Sequence, residues 1–145
     1  MMINRRDAVA SLVACAELFR SSGARARTQP SAQTTPRPPV FVHDLPNVNM
    51  DDWQVTVSVV DYAPGRVGGA HQHAGFVLAY VLEGSVVAKI SGQGPERTYK
   101  TGEMFYEQIG ATHEVSKNAS STEPAKLLAM IFAKKGATLT TPVRG

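Results

Sequence analysis

At 145 residues, with 43% hydrophobic, 7% aromatic and 19% charged side chains, the chain has room for one domain with a packed core. That balance excludes a wholly disordered chain and a membrane-embedded one. The net charge of +3 is unevenly placed: residues 1–26 carry +2, from Arg5, Arg6, Arg20 and Arg25 against Asp7 and Glu17, and the remainder only +1. A nucleic-acid binder concentrates Lys and Arg in its folded part, so nucleic acid is excluded as a partner.

No apolar run approaches the ~18 residues needed to span a bilayer. Cys15 is the only cysteine, which excludes structural disulfides and cysteine-ligated zinc from the body of the chain. Residues 1–26 read as an export signal. Arg5-Arg6 precede a mostly apolar stretch from Ala8 to Phe19, and Ala24-Arg25-Ala26 is a small-residue cleavage pattern. The arrangement resembles a twin-arginine leader and implies a periplasmic protein. An amphipathic helix or a tail, leaving the protein cytoplasmic, is the alternative, and Leu12-Val13-Ala14-Cys15 also resembles a lipoprotein box with Cys15 acylated. Residues 27–39 hold four prolines and nothing aliphatic larger than alanine, the composition of an extended linker. The domain is expected over residues 40–145.

From there the pattern is β: short blocks of period-two alternation separated by turn chemistry. Val40–His43 comes first, then Trp53–Tyr62, the clearest strand, stopped by Ala63-Pro64-Gly65. Phe76–Leu82, Ser85–Ser91, Arg97–Tyr99, Met104–Tyr106, His113–Ser116 and Leu127–Ala133 follow, with Gly84, Gly92-Gln93-Gly94, Thr101-Gly102 and Ile109-Gly110 between them. No stretch shows a helix-length 3.6-residue period. Short strands at this spacing predict an all-β sandwich or barrel.

Within Gly65–Gly84 (GRVGGAHQHAGFVLAYVLEG), His71 and His73 stand two apart, so a strand would turn both imidazoles to one face. His113 follows a Gly-Ala-Thr turn in GEMFYEQIGATHEVSKN, at the start of another strand. Two histidines on one strand and a third on a neighbour can converge inside a barrel. Neutral imidazoles suit zinc, copper, iron and nickel, and three of them leave coordination positions open.

Both stretches resemble the two motifs of the cupin superfamily. Gly65, His71, His73 and Gly84 fall at the spacings of the first motif, and Gly102, Gly110 and His113 at those of the second, with Asn118 one residue later than the usual asparagine. The resemblance covers residues 53–133 and implies a small antiparallel jelly-roll β-barrel, usually paired as a homodimer. It also implies one divalent metal ion on His71, His73 and His113. Two positions depart from the motifs: the first motif's glutamate is Val77 and the second motif's proline is Gln108. Loss of the glutamate leaves a neutral three-histidine set similar to that of some cupin dioxygenases. The implied function is a metal-dependent, dioxygenase-like enzyme on a small organic molecule, with Fe(II) favoured. Lyase or isomerase chemistry on Mn, Ni or Zn, a non-catalytic ligand-binding barrel, and a degenerate barrel without metal stay open.

Glu107, on the segment leading to His113, has two readings: an acceptor for an imidazole N–H, or a solvated carboxylate, which glutamate's usual exposure favours. Gln108 is a weak candidate for hydrogen bonding to a substrate or a metal-bound water. Gln72 and Glu114 alternate with the histidines and should point away. Phe76, Tyr80, Met104, Phe105 and Tyr106 are expected in the core, some beside the metal in an apolar pocket. Trp53 is expected as core or dimer contact, and His43, outside both motifs, at a strand edge or surface. No carboxylate is assigned as catalytic acid or base.

Overall fold

The computed structural model describes residues 36–144. The expected leader, Cys15 and the linker as far as residue 35 lie outside them. Ten strands follow one another: β1 (Trp53–Tyr62), β2 (Val67–Gly68), β3 (His71–His73), β4 (Phe76–Glu83), β5 (Ser85–Ile90), β6 (Arg97–Lys100), β7 (Met104–Glu107), β8 (Thr112–Asn118), β9 (Ala125–Lys134) and β10 (Thr140–Pro142). They form two antiparallel sheets, one ordered β1-β9-β4-β7 and the other β10-β3-β8-β5-β6, with β2 also paired to β8. Among the described residues there is no helix, hence none long and apolar enough to cross a membrane.

Alternation builds the space between the sheets. Tyr62 on β1, Ala79 and Val81 on β4, Val86 and Ala88 on β5, Phe105 on β7 and Leu127 on β9 form one buried cluster, while Val77, Ile131 and Ala133 form a second. Tyr62, Ala79 and Leu127 of the first cluster and Val77 and Ile131 of the second also border the space onto which His71 and His73 of β3 and His113 of β8 face.

Two features steer the site. Ile90 pairs with His113 but Lys89 with Val115, so β8 holds one extra residue against β5. This bulge resets the alternation, and both His113 and Ser116 become buried. The side chain of Asn118 then ties β8 to β1. Its amide donates to the carbonyls of Tyr62 (3.1 Å), Ala63 (3.1 Å) and Glu123 (2.8 Å), and its oxygen accepts the Ser120 N–H at 2.9 Å.

The expected strands are present with one exception. Val40–His43 forms no strand, because its alternation serves no ladder: Val40 and Val42 are exposed and His43 instead lies on the Tyr106 ring, 4.0 Å between centroids. Gln54 and its neighbours begin the first paired strand, opposite Ala133.

Gly75 links the histidine strand β3 to β4 where the chain passes over β9. A Cβ there would stand 1.8 Å from the Phe132 carbonyl oxygen, backbone that cannot yield. Gly75→Ala is expected to destabilise the fold by about 3 kcal/mol, read as a lowered midpoint in urea unfolding.

Candidate metal centre

His71 pairs directly with His113 across β3 and β8, and His73 follows on the same face of β3. The three rings gather closely, with centroids 4.9 Å apart for His71 and His73 and 4.9 Å for His71 and His113. One ligand nitrogen from each lies within 4.8 Å of the others. His113 is buried; His71 and His73 are half-buried. All three sequence-predicted site residues therefore come together.

The Nδ1 atom of each ring is already engaged. His71 Nδ1 lies 2.9 Å from the Gly69 carbonyl oxygen. His73 Nδ1 lies 3.1 Å from the Leu139 carbonyl and 3.1 Å from Thr140 Oγ1. His113 Nδ1 lies 3.2 Å from Glu107 Oε1. An imidazole that donates its Nδ1 proton carries its lone pair on Nε2, which is how metal-binding histidines are held and oriented. His113 Nε2 is buried without any partner. Burial pushes the His73 imidazole below its usual 6.5, against an opposing pull from Glu107, so the ring is neutral and able to ligate near pH 7. Three imidazole nitrogens, one of them buried and orphaned, fit a divalent transition metal.

The rings open on a cavity of about 380 Å³, the size of a small-molecule site. Its apolar wall is aliphatic, from Val60, Val77, Ala79, Leu127 and Ile131, with Arg66, Tyr62, Ser116 and Thr140 as polar members. The Arg66 guanidinium lies 5.0 Å over the Tyr62 ring and donates to the Asp61 carbonyl. Tyr62 Oη and Ser116 Oγ are 2.8 Å apart and buried. Burial raises the Tyr62 phenol above 10.0, partly offset by the Ser116 hydrogen bond and by Arg66, so it stays protonated at neutral pH.

Several expectations are corrected. Glu107 is not solvated: it is 4% exposed, lines the cavity and touches the histidines, because it stands two residues from the buried Phe105 on β7 and so shares its face. Phe76, Tyr80, Met104, Phe105 and Tyr106 do not line the cavity. Phe76 stacks on Phe132 on the other face of its sheet, while Phe105 packs in the core with its ring edge toward His113. Gln108 is spent on a turn, donating to the Ser91 carbonyl at 2.9 Å and accepting from Gln93. Gln72 and Glu114 do point away, to Thr112 and Lys89 respectively. Tyr62, Arg66 and Ser116 were not singled out from the sequence. Tyr62 ends a strand at the start of a Pro-Gly turn, and its inward parity is visible only once β1 is paired.

The cupin-domain family profile matches residues 58–131, half of the chain, and spans all three histidines. The chain belongs to the cupin family. Solved structures share this cupin fold. A conserved protein with a double-stranded β-helix domain from Klebsiella pneumoniae is 21% identical, with a TM-score of 0.52 over 63% of this chain and 76% of its own. DMSP lyase DddQ from Ruegeria pomeroyi DSS-3 is 19% identical, with a TM-score of 0.53 over 61% of this chain and 43% of its own. Oxalate decarboxylase from Lactobacillus farciminis is 17% identical, with a TM-score of 0.53 over 61% of this chain and 26% of its own. The cupin thus spans less than half of the lyase chain and about a quarter of the decarboxylase chain. No curated protein matches it.

Tyr62→Phe removes the partner of a buried hydroxyl. It should cost about 1–2 kcal/mol, measured by chemical denaturation, with the histidine cluster left intact.

Proposed function

We propose that this cupin holds one divalent metal ion on His71, His73 and His113 and acts with it on a small organic molecule in the adjoining cavity. The observation that carries this reading is the set of three engaged Nδ1 atoms, which leaves each Nε2 free for the ion. A bound ion would supply Lewis-acid polarisation and, as Fe(II), redox chemistry with dioxygen. Fe(II) is favoured because three imidazole ligands leave coordination positions open to substrate and oxygen; Mn, Ni and Zn suit the same donors. The chain's own residues do the rest. The aliphatic wall excludes water, and Arg66 offers a cation to an anionic group of the substrate. Tyr62 and Ser116 offer hydroxyls.

One observation favours a second reading, a barrel that retains a small ligand without turnover. Among the described residues Glu107 is the only carboxylate lining the cavity, and its Oε1 is occupied by His113, so none of them offers a free acid or base.

The test is metal content by mass spectrometry of untagged protein beside His71→Ala and His113→Ala. Near-stoichiometric metal in the parent and a loss of roughly an order of magnitude or more in both variants is expected. Oxygen uptake on Fe(II) loading then separates the enzyme from the binding barrel. A parent that takes up neither Fe(II) nor Mn(II) under anaerobic conditions would overturn the metal reading.

A homodimer belongs to the same proposal. Val55, Val57 and Val59 stand 48–54% exposed along one face of the edge strand β1, flanked by the β9 residues Leu128, Met130 and Phe132. Such a stripe is covered in a paired molecule. Light scattering should give twice the monomer mass for the parent and the monomer mass for Val57→Lys.

A further inference from the structure

The position where the first cupin motif has glutamate is Val77, which is 1% exposed and lines the cavity. Val77 pairs directly with Glu107 across β4 and β7. Residues opposed in an antiparallel pair carry their Cβ atoms about 5 Å apart on one face. A carboxylate at 107 therefore enters the same space that one at 77 would.

The contacts of Glu107 fit that placement. Oε1 lies 3.2 Å from His113 Nδ1, and Oε2 lies 3.8 Å from His73 Nε2, the nitrogen left free for an ion. Among the described residues no lysine or arginine pairs with it. A carboxylate buried to 4% exposure is costly unless a positive charge compensates it. A divalent ion held beside the imidazoles would supply that charge.

We propose that Glu107 supplies the negative charge of the metal centre, taking from the neighbouring strand the part that Val77 cannot play. It is a positioning residue. Accepting the Nδ1 proton of His113, it turns Nε2 to the ion, and its charge lies close enough to strengthen binding of a cation over that of three neutral rings. The proposal rests on the metal reading above.

The experiment is Co(II) titration of the full-length metal-free protein, followed by the visible absorption of bound Co(II). Glu107→Gln keeps size and a hydrogen-bond acceptor but removes the charge. Its Co(II) affinity is expected to fall at least ~10-fold, and Val77→Glu/Glu107→Gln to recover most of the loss. Co(II) binding by Glu107→Gln equal to the parent's overturns the proposal, as does a folded double variant that binds no better than the single one. Should the double variant not fold, the single substitution alone decides. His71→Ala keeps the two failures apart. If it binds Co(II) as the parent does, or the parent binds none, the histidine centre fails and Glu107's part in it falls too. If His71→Ala loses Co(II) while Glu107→Gln does not, only the Glu107 proposal fails.

Discussion

Everything at this site depends on the register of a three-residue strand. β3 lies on β8 with His71 opposite His113, and His73 reaches the same face by skipping one residue. Because side chains alternate with period two, a slip of one residue would send both β3 imidazoles outward and bring Gln72 in. Two residues of pairing to β8 could not hold such a register alone. It is held by β10, whose Thr140 sits opposite His73, and by Gly75, which lets the chain pass against β9. The same contacts orient the rings, since Leu139 and Thr140 take the Nδ1 side of His73.

The interior divides into a dry half and a chemical half. Around Val81, Val86 and Phe105 the sheets close on apolar side chains, whereas around Val77 and Ile131 they part over the cavity. Polar groups there occur in satisfied sets: imidazoles on carbonyls and Glu107, and Tyr62 on Ser116. Burial of polar groups is tolerated where partners are present. His113 Nε2 is the exception in the cavity, and its lack of a partner is what distinguishes the centre from a packed core histidine.

How much was legible follows from what each residue is read by. Trp53–Tyr62 stands out because ten alternating residues end at a Pro-Gly turn, and the histidines because their spacing is a strand's own period. β2 and β10 are too short to show any period; only their partners define them. Val40–His43 has the period but no ladder. Glu107 was misjudged for a related reason: exposure was inferred from residue type, while parity relative to Phe105 pointed inward. Parity failed at β8 as well, where the bulge at Glu114 puts His113 and Ser116 on one side although they are three apart.

That bulge also separates two tasks within one strand. Before it, β8 serves the imidazole centre; after it, the strand lines the same cavity with Ser116 and anchors the loop beyond with Asn118. The extra residue shifts the alternation by one, so both stretches present a side chain to the interior. A side chain substituted at 116 therefore changes the lining of the chamber without altering the pairing of His113 with His71, so the two tasks of β8 can be varied one at a time.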